Sequence, residues 1–361
     1  MEIKIYPKSK WEEILEILKC GLENGEYAVG GHFYTIDEIC QKFNVSRITA
    51  KRVFQELKNE GWILPIRRRG AIVIRSHIQK EVFFIVGSPY LEQYTAGIGD
   101  YFVINHLLKG LHAKEEFYNI KITTIGHRFF FSHLKDFVNK DVLMAGQLLY
   151  DFKDWFEKHP DNLQLLKSDI RPVLLHCFEK YEGFSMTRTD YEKGIKLAVE
   201  HLINKGHKNI AYLTKDINFP TFYLRLKGFM DTLKESSVSL NMDFIRVTTD
   251  IERSKIWHSV QQLLSLSPRP TAIVCASDVI AMNVLEYCEK NAIGVPEDIA
   301  VTGFDNRGEA RFSVPPLTTV DSKLEQQGIK AVEFIVKRAS NQVNEPVVMT
   351  LEPELIARAS T

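Results

Sequence analysis

From Glu81 onward the chain repeats one pattern, a short apolar run followed by a longer amphipathic stretch, and nothing else in the sequence constrains its fold as tightly. The runs at 82–87, 120–126, 142–146, 172–177, 210–214, 244–248, 271–276 and 299–304 have the length and bounding residues of buried strands. Residues 191–204, 221–234 and 279–291 instead space their apolar side chains at helical intervals. Strands alternating with helices form parallel sheets covered on both faces, with ligands held beyond the carboxyl ends of the strands. Eight strands suit two such sheets better than one, so the expected fold is α/β with two parallel sheets.

Residues 31–75 have a different character. Thr35 can cap a helix while Glu38, three residues later, completes a capping box. Asn44-Val45 makes a turn, and Ser46 caps a second helix in which Ala50, Val53, Phe54 and Leu57 share one apolar face. Its other face carries Ile48, Lys51, Arg52 and Gln55. Cations for phosphates, an amide for base edges and an apolar group for a thymine methyl are what a helix in the major groove needs. Gly61 ends this helix. Two β-rich runs, from Trp62 and from Ala71, then flank Arg67-Arg68-Arg69-Gly70, forming a basic hairpin or wing.

An exposed charged helix face is usually only a solvated one. Three arginines at a hairpin tip are harder to explain that way, because they repel one another unless an anion is met there. Between Lys42 and Arg75 nine cationic residues stand against two acidic ones. The whole chain balances 46 Lys and Arg with 46 Asp and Glu. That concentration, in this motif order, points to nucleic acid.

Other classes find less support. The 361 residues, 45% hydrophobic, allow a large core and two or three domains. No apolar stretch reaches membrane-spanning length and the N-terminus lacks signal-peptide order, so the expectation is a cytoplasmic protein without a membrane partner. The five cysteines are scattered without ligand spacing, and the eleven histidines include no HExxH, so no metal site is expected. A dehydrogenase or kinase could use the same architecture. The glycine pair Gly97-Ile98-Gly99 lacks a third glycine, however, and there is no phosphate loop, nucleophile elbow or acid–base pair beside a nucleophile. Neither an enzyme nor a cofactor is expected.

Two resemblances cover most of the chain. Residues 4–75 resemble the winged-helix domain of the GntR family, through Trp11, Ile14, Leu15, Leu18 and Leu22 of a first helix, Asn24-Gly25-Glu26-Tyr27, Val45-Ser46-Arg47-Ile48-Thr49, Leu57-Lys58-Asn59-Glu60-Gly61 and the glycine wing. By position the resemblance implies operator contacts from Ser46, Arg47, Thr49, Lys51, Arg52 and the Arg69-Gly70 tip. Thr35, Ile48, Arg67 and Arg68 complete the candidate DNA-binding set. Family members usually lead into the second helix with Leu-Pro-Ser-Glu-Arg-Glu. Here the segment is Phe33-Tyr34-Thr35-Ile36-Asp37-Glu38, and Asp37 cannot act as the arginine does.

Residues 190–361 resemble the effector-binding core of the LacI/GalR family. The ordered motifs are Asp190-Tyr191-Glu192-Lys193-Gly194, Arg225-Leu226-Lys227-Gly228-Phe229, Ala276-Ser277-Asp278, Gly303-Phe304-Asp305 and Pro315-Pro316-Leu317-Thr318-Thr319. Residues 81–189 match weakly. This second resemblance implies a periplasmic-binding-protein type I (LacI-like) fold of two Rossmann-like subdomains, which follows the winged helix-turn-helix (1–75) and a linker (76–80). Its first subdomain would comprise about 81–187 and 306–321, its second about 188–305 and 322–361.

The family binds ligand hydroxyls through the arginine and aspartate found here as Arg225 and Asp305. Guanidinium and carboxylate can each hold two vicinal hydroxyls, while an aromatic face covers the C–H side of a sugar. Ser88, Ser277 and Ser322 are further candidates, with Tyr90 and Tyr94 as stacking faces. His176 replaces an aspartate that sugar-sensing relatives often carry. A plain Arg225–Asp305 salt bridge, helix packing of the tyrosines and helix capping by Asp278 are the structural alternatives. The expected function is a ligand-responsive repressor that binds operator DNA as a homodimer and takes a sugar or sugar derivative as effector. A nucleoside effector, a solute-binding protein and an enzyme on the same fold are the alternatives.

Overall fold

The computed structural model describes residues 9–27, 30–66, 70–74, 80–87, 99–339 and 346–361. Arg67, Arg68, Arg69, Ser88, Tyr90 and Tyr94 lie outside the described residues. The chain forms two compact units, Met1–Thr187 with Leu324–Met349 and Arg188–Lys323 with Thr350–Thr361.

The first unit begins with a winged helix-turn-helix: α1 (Lys10–Glu23), β1 (His32–Phe33), α2 (Ile36–Phe43), α3 (Arg47–Asn59), β2 (Ile63–Ile66) and β3 (Gly70–Val73). The strands form an antiparallel sheet in the order β1-β3-β2. Thr35 Oγ1 accepts the Glu38 N–H at 3.1 Å while the Glu38 carboxylate accepts the Thr35 N–H, which closes the capping box at the start of α2. Asn44 ends that helix at φ 49, a left-handed conformation that asparagine tolerates. Ile14, Leu18, Leu22, Val53, Leu57, Trp62 and Val73 meet in one core, so a single apolar face from each helix is enough to hold the module together.

The rest of this unit is a six-stranded sheet in the order β14-β8-β7-β6-β4-β5, where β4 is Lys80–Val86, β5 Ile120–Gly126, β6 Asp141–Ala145, β7 Val173–Cys177, β8 Met186–Thr189 and β14 Val348–Leu351. β4 pairs parallel with β5 and β6, and β6 with β7. Helix Leu324–Ala339 lies directly on helix Gly99–His112. A Cβ added at Gly110 would fall 1.9 Å from the Glu325 carbonyl oxygen, and one at Gly328 2.4 Å from that of Leu107. Only glycine permits so close an approach.

The second unit contains a sheet in the order β10-β9-β11-β12-β13-β15, with β9 Ile210–Lys215, β10 Ile245–Thr248, β11 Ala272–Cys275, β12 Ala300–Phe304, β13 Thr318–Asp321 and β15 Glu354–Ile356. All pairs are parallel except β13 with β15. Every apolar run expected to be a strand is one. Residues 306–321, expected in the first subdomain, belong to the second unit, because β13 pairs with β12 in the register Thr302↔Thr318. Residues 324–339, expected in the second, belong to the first, because their apolar face covers Leu107 and Leu111.

Candidate functional site

Two surfaces gather the candidate residues. On α3, Ala50, Val53 and Leu57 are fully buried, which turns Ile48, Lys51 and Arg52 outward. Ile48 is 83% exposed, so its apolar side chain stands on the same outward face as Lys51 and Arg52. Ser46 caps the helix, its Oγ accepting the Thr49 N–H at 3.3 Å and lying 3.0 Å from Thr49 Oγ1. Arg47 reaches back to Asp37 of α2 at 2.7 Å, so an acidic residue of the preceding helix holds the first cation of α3. The Arg52 guanidinium lies 3.9 Å from the Trp11 ring centroid. Sequence reasoning did not connect these two residues, since nothing in their spacing brings α1 beside α3. Gly70, at φ +84, carries the wing strand past β1, where a Cβ would meet the Phe33 carbonyl oxygen at 2.8 Å.

In the second unit the fold brings Arg225 against Asp305 and against the carbonyl of Ala276, the residue before Ser277. Arg225 extends from helix Pro220–Glu235 and is 6% exposed. Its Nη2 donates to Asp305 Oδ1 at 3.1 Å and its Nη1 to the Ala276 carbonyl. Its Nε has no acceptor among the described residues. The guanidinium rests 3.8 Å from the Phe304 ring centroid, with Tyr191 and Phe222 farther out at 5.1 and 5.7 Å. A cation enclosed by three rings and fixed by two acceptors is preorganised and cannot swing away.

Asp305 follows β12 with φ +115, a conformation that a side chain with a Cβ resists and that concentrates at functional sites. Burial raises its pKa, while the charges of Arg225, Arg307 and Lys215 pull it down. Asp278 is fully buried and its pKa is pushed up to about 8, by burial first and by the charge of Asp305 second. It accepts the Arg307 N–H at 2.7 Å and the Thr319 hydroxyl, tying the loop after β12 to β13. Asp278 is therefore not the helix cap that its residue type suggests. The cap is Ser277, whose Oγ accepts the Ile280 N–H at 3.4 Å, because only the residue one position earlier has the extended backbone of an N-cap.

Ser322 is buried, and its carbonyl accepts the Thr189 hydroxyl. His176 lies in the first unit at φ +59, its backbone N–H donating to Gln327 Oε1 at 3.0 Å. No helix among the described residues is long and apolar enough to cross a membrane.

The two sheets and the strand order define an α/β protein of the periplasmic-binding-protein type I fold, preceded by a winged helix-turn-helix. Residues 199–361 match the family described as periplasmic binding protein-like domain. The chain is similar to the HTH-type transcriptional repressor PurR of Aliivibrio salmonicida, 31% identical over 218 residues, covering 56% of this chain and 65% of the relative. It is also similar to the repressor of that name from Salmonella newport, 27% identical over 267 residues, 66% of this chain and 78% of the relative. The chain thus spans just under two thirds of the length of the first of these. Among solved structures it is similar in fold to the transcriptional regulator CelR in complex with cellobiose, with a TM-score of 0.60 at 21% identity, covering 88% of this chain and 92% of the other. The Escherichia coli transcriptional repressor AscG aligns with a TM-score of 0.61 at 21% identity, over 78% and 99% of the two chains.

Proposed function

We propose that the protein is a ligand-responsive transcriptional regulator, a repressor that occupies operator DNA as a homodimer and changes its DNA affinity when a small polar effector binds. The observation that carries this reading is the presence in one chain of an outward-facing cationic helix with Ile48 at its tip and a buried, prearranged Arg225–Asp305 site. The relatives' description as transcriptional repressors supports it. It is a binding function and involves no turnover. A GntR-type module ahead of a LacI/GalR-type sensor resembles the arabinose repressor in layout.

On this reading Arg47, Lys51, Arg52 and the wing neutralise phosphates, Ile48 meets base edges, and two modules on two half-sites supply the affinity that one module of this size lacks. The effector is a sugar or sugar derivative whose vicinal hydroxyls accept from Arg225 and donate to Asp305. Effector shifts the DNA-binding equilibrium only as far as it prefers one state of the protein over the other. The test is calorimetric titration of the full chain with a panel of sugars and nucleosides, followed by operator binding with and without each compound that binds. A panel in which only nucleosides bind would replace the sugar assignment.

A further inference from the structure

The wing sheet has two apolar faces, and its own module covers only one of them. Ile63, Ala71 and Val73 point into the core shared by α1 and α3. Their neighbours Leu64, Ile66, Ile72 and Ile74 belong to a different cluster, with Val82, Tyr118, Ile120, Val332 and Val336 of the α/β part of the same unit. Ile72 and Ile74 are 2% and 1% exposed, fully part of that core. A freestanding wing would alternate apolar and polar residues so that its outer face meets water. Ala71-Ile72-Val73-Ile74 is instead continuously apolar, the pattern of a strand covered on both sides. At the turn after α3, a Cβ on Gly61 would stand 3.0 Å from the Phe117 carbonyl oxygen, so the backbone of the module also touches this part. Only five residues, 75–79, separate Ile74 from Lys80 at the start of β4.

We infer that the winged helix is docked on the first sensor half through the outer face of its wing sheet, so that α3 and the β4–β5 edge of that half move as one body. The inference rests on the DNA-binding reading only for its consequence. A rearrangement of the first sensor half then reorients α3 directly. The partner that fits this face is the chain itself, which accounts for four large apolar side chains on a surface that would otherwise favour aggregation.

The test is ¹⁵N relaxation on the full chain without DNA or effector. Amides of α1–α3 are expected to report the same rotational correlation time as those of β4–β7, and a distinctly shorter time for the winged helix would overturn the inference. This outcome does not depend on whether the protein binds DNA, so it separates failure of the docking from failure of the proposed function. A second arm uses the full chain carrying Leu64→Ser and Ile72→Ser, which leaves the Val53, Leu57 and Val73 core intact. The winged-helix resonances should keep their native positions but relax faster. Effector-free operator affinity should stay within threefold, and the effector-induced change in affinity should fall at least tenfold. Unchanged relaxation together with an unchanged effector response would refute the coupling. If the double variant does not fold, Leu64→Ser alone, at a half-buried position, decides by the same two readouts.

Discussion

Replacing Asp305 by asparagine separates an effector site from a structural ion pair. The substitution preserves Oδ1 as an acceptor for Arg225 Nη2, which stands 3.1 Å away, and removes only the charge. The pull of Arg225, Arg307 and Lys215 on that charge then disappears, while the penalty of burying it and its repulsion of Asp278 are relieved. These effects oppose one another, so stability should change by no more than about 1 kcal/mol. Arg225→Ala is different, because it strands a carboxylate only 17% exposed and leaves the Ala276 carbonyl without its donor. That should cost about 3–5 kcal/mol. Effector affinity should nevertheless drop in the Asp305→Asn protein. A charge-assisted hydroxyl bond is worth about 1.5–3 kcal/mol, roughly a ten- to hundredfold rise in Kd. Urea denaturation gives the first quantity and isothermal titration with the binding sugar the second. An Asp305→Asn protein destabilised by more than about 3 kcal/mol, yet binding its effector normally, would show that the pair is scaffolding and that the pocket lies elsewhere.

The phase of α3 makes a paired prediction. Leu57→Ala should lower stability by about 2–5 kcal/mol through the cavity it opens, whereas Arg52→Ala should lose only the stack on Trp11, about 0.5–1 kcal/mol, and abolish operator binding in a mobility-shift assay. Substituting Arg67, Arg68 and Arg69 together by alanine should flatten the dependence of log K on log salt by about 0.9 for each phosphate left without its cation, and an unchanged slope would remove the wing from the interface. Asp278 makes stability depend on pH. Its folded pKa of about 8 exceeds the ordinary 3.8, so between these values the folded state binds more protons than the unfolded state and stability falls as pH rises, by at most about 1.4 kcal/mol per unit. In Asp278→Asn that component should vanish from denaturation curves recorded between pH 5 and 8.

Much of this was legible in the sequence because local rules and burial agree. The alternating runs become strands since both faces of each parallel sheet are covered, and Thr35, Ser46 and Asn44 set helix ends through chemistry confined to three or four residues. Arg225 and Asp305 meet across 80 positions, and only the resemblance paired them. What escaped depends on neighbours distant in sequence. The Arg52 stack on Trp11 needs the crossing of α1 and α3, and the place of 306–321 was decided by pairing with β12, which short apolar segments do not encode. Asp278 has the residue type of a cap, yet its burial beneath the loop after β12 assigns it to that loop. The unbroken apolar stretch 71–74 was readable as a doubly covered strand, and only the structure identifies what covers it.

The central claim, that one chain couples DNA binding to a small ligand, is tested most directly by fluorescence anisotropy. The full-length protein is titrated into DNA selected by it from a random duplex pool, in the presence and absence of a compound shown by calorimetry to bind the protein. The account predicts saturable binding to the selected duplex, at least a hundredfold weaker binding to a scrambled one, and a shift of tenfold or more in Kd when the ligand is present. Equal affinity for selected and scrambled DNA, or a ligand that binds the protein tightly and leaves the DNA affinity unchanged, would contradict it.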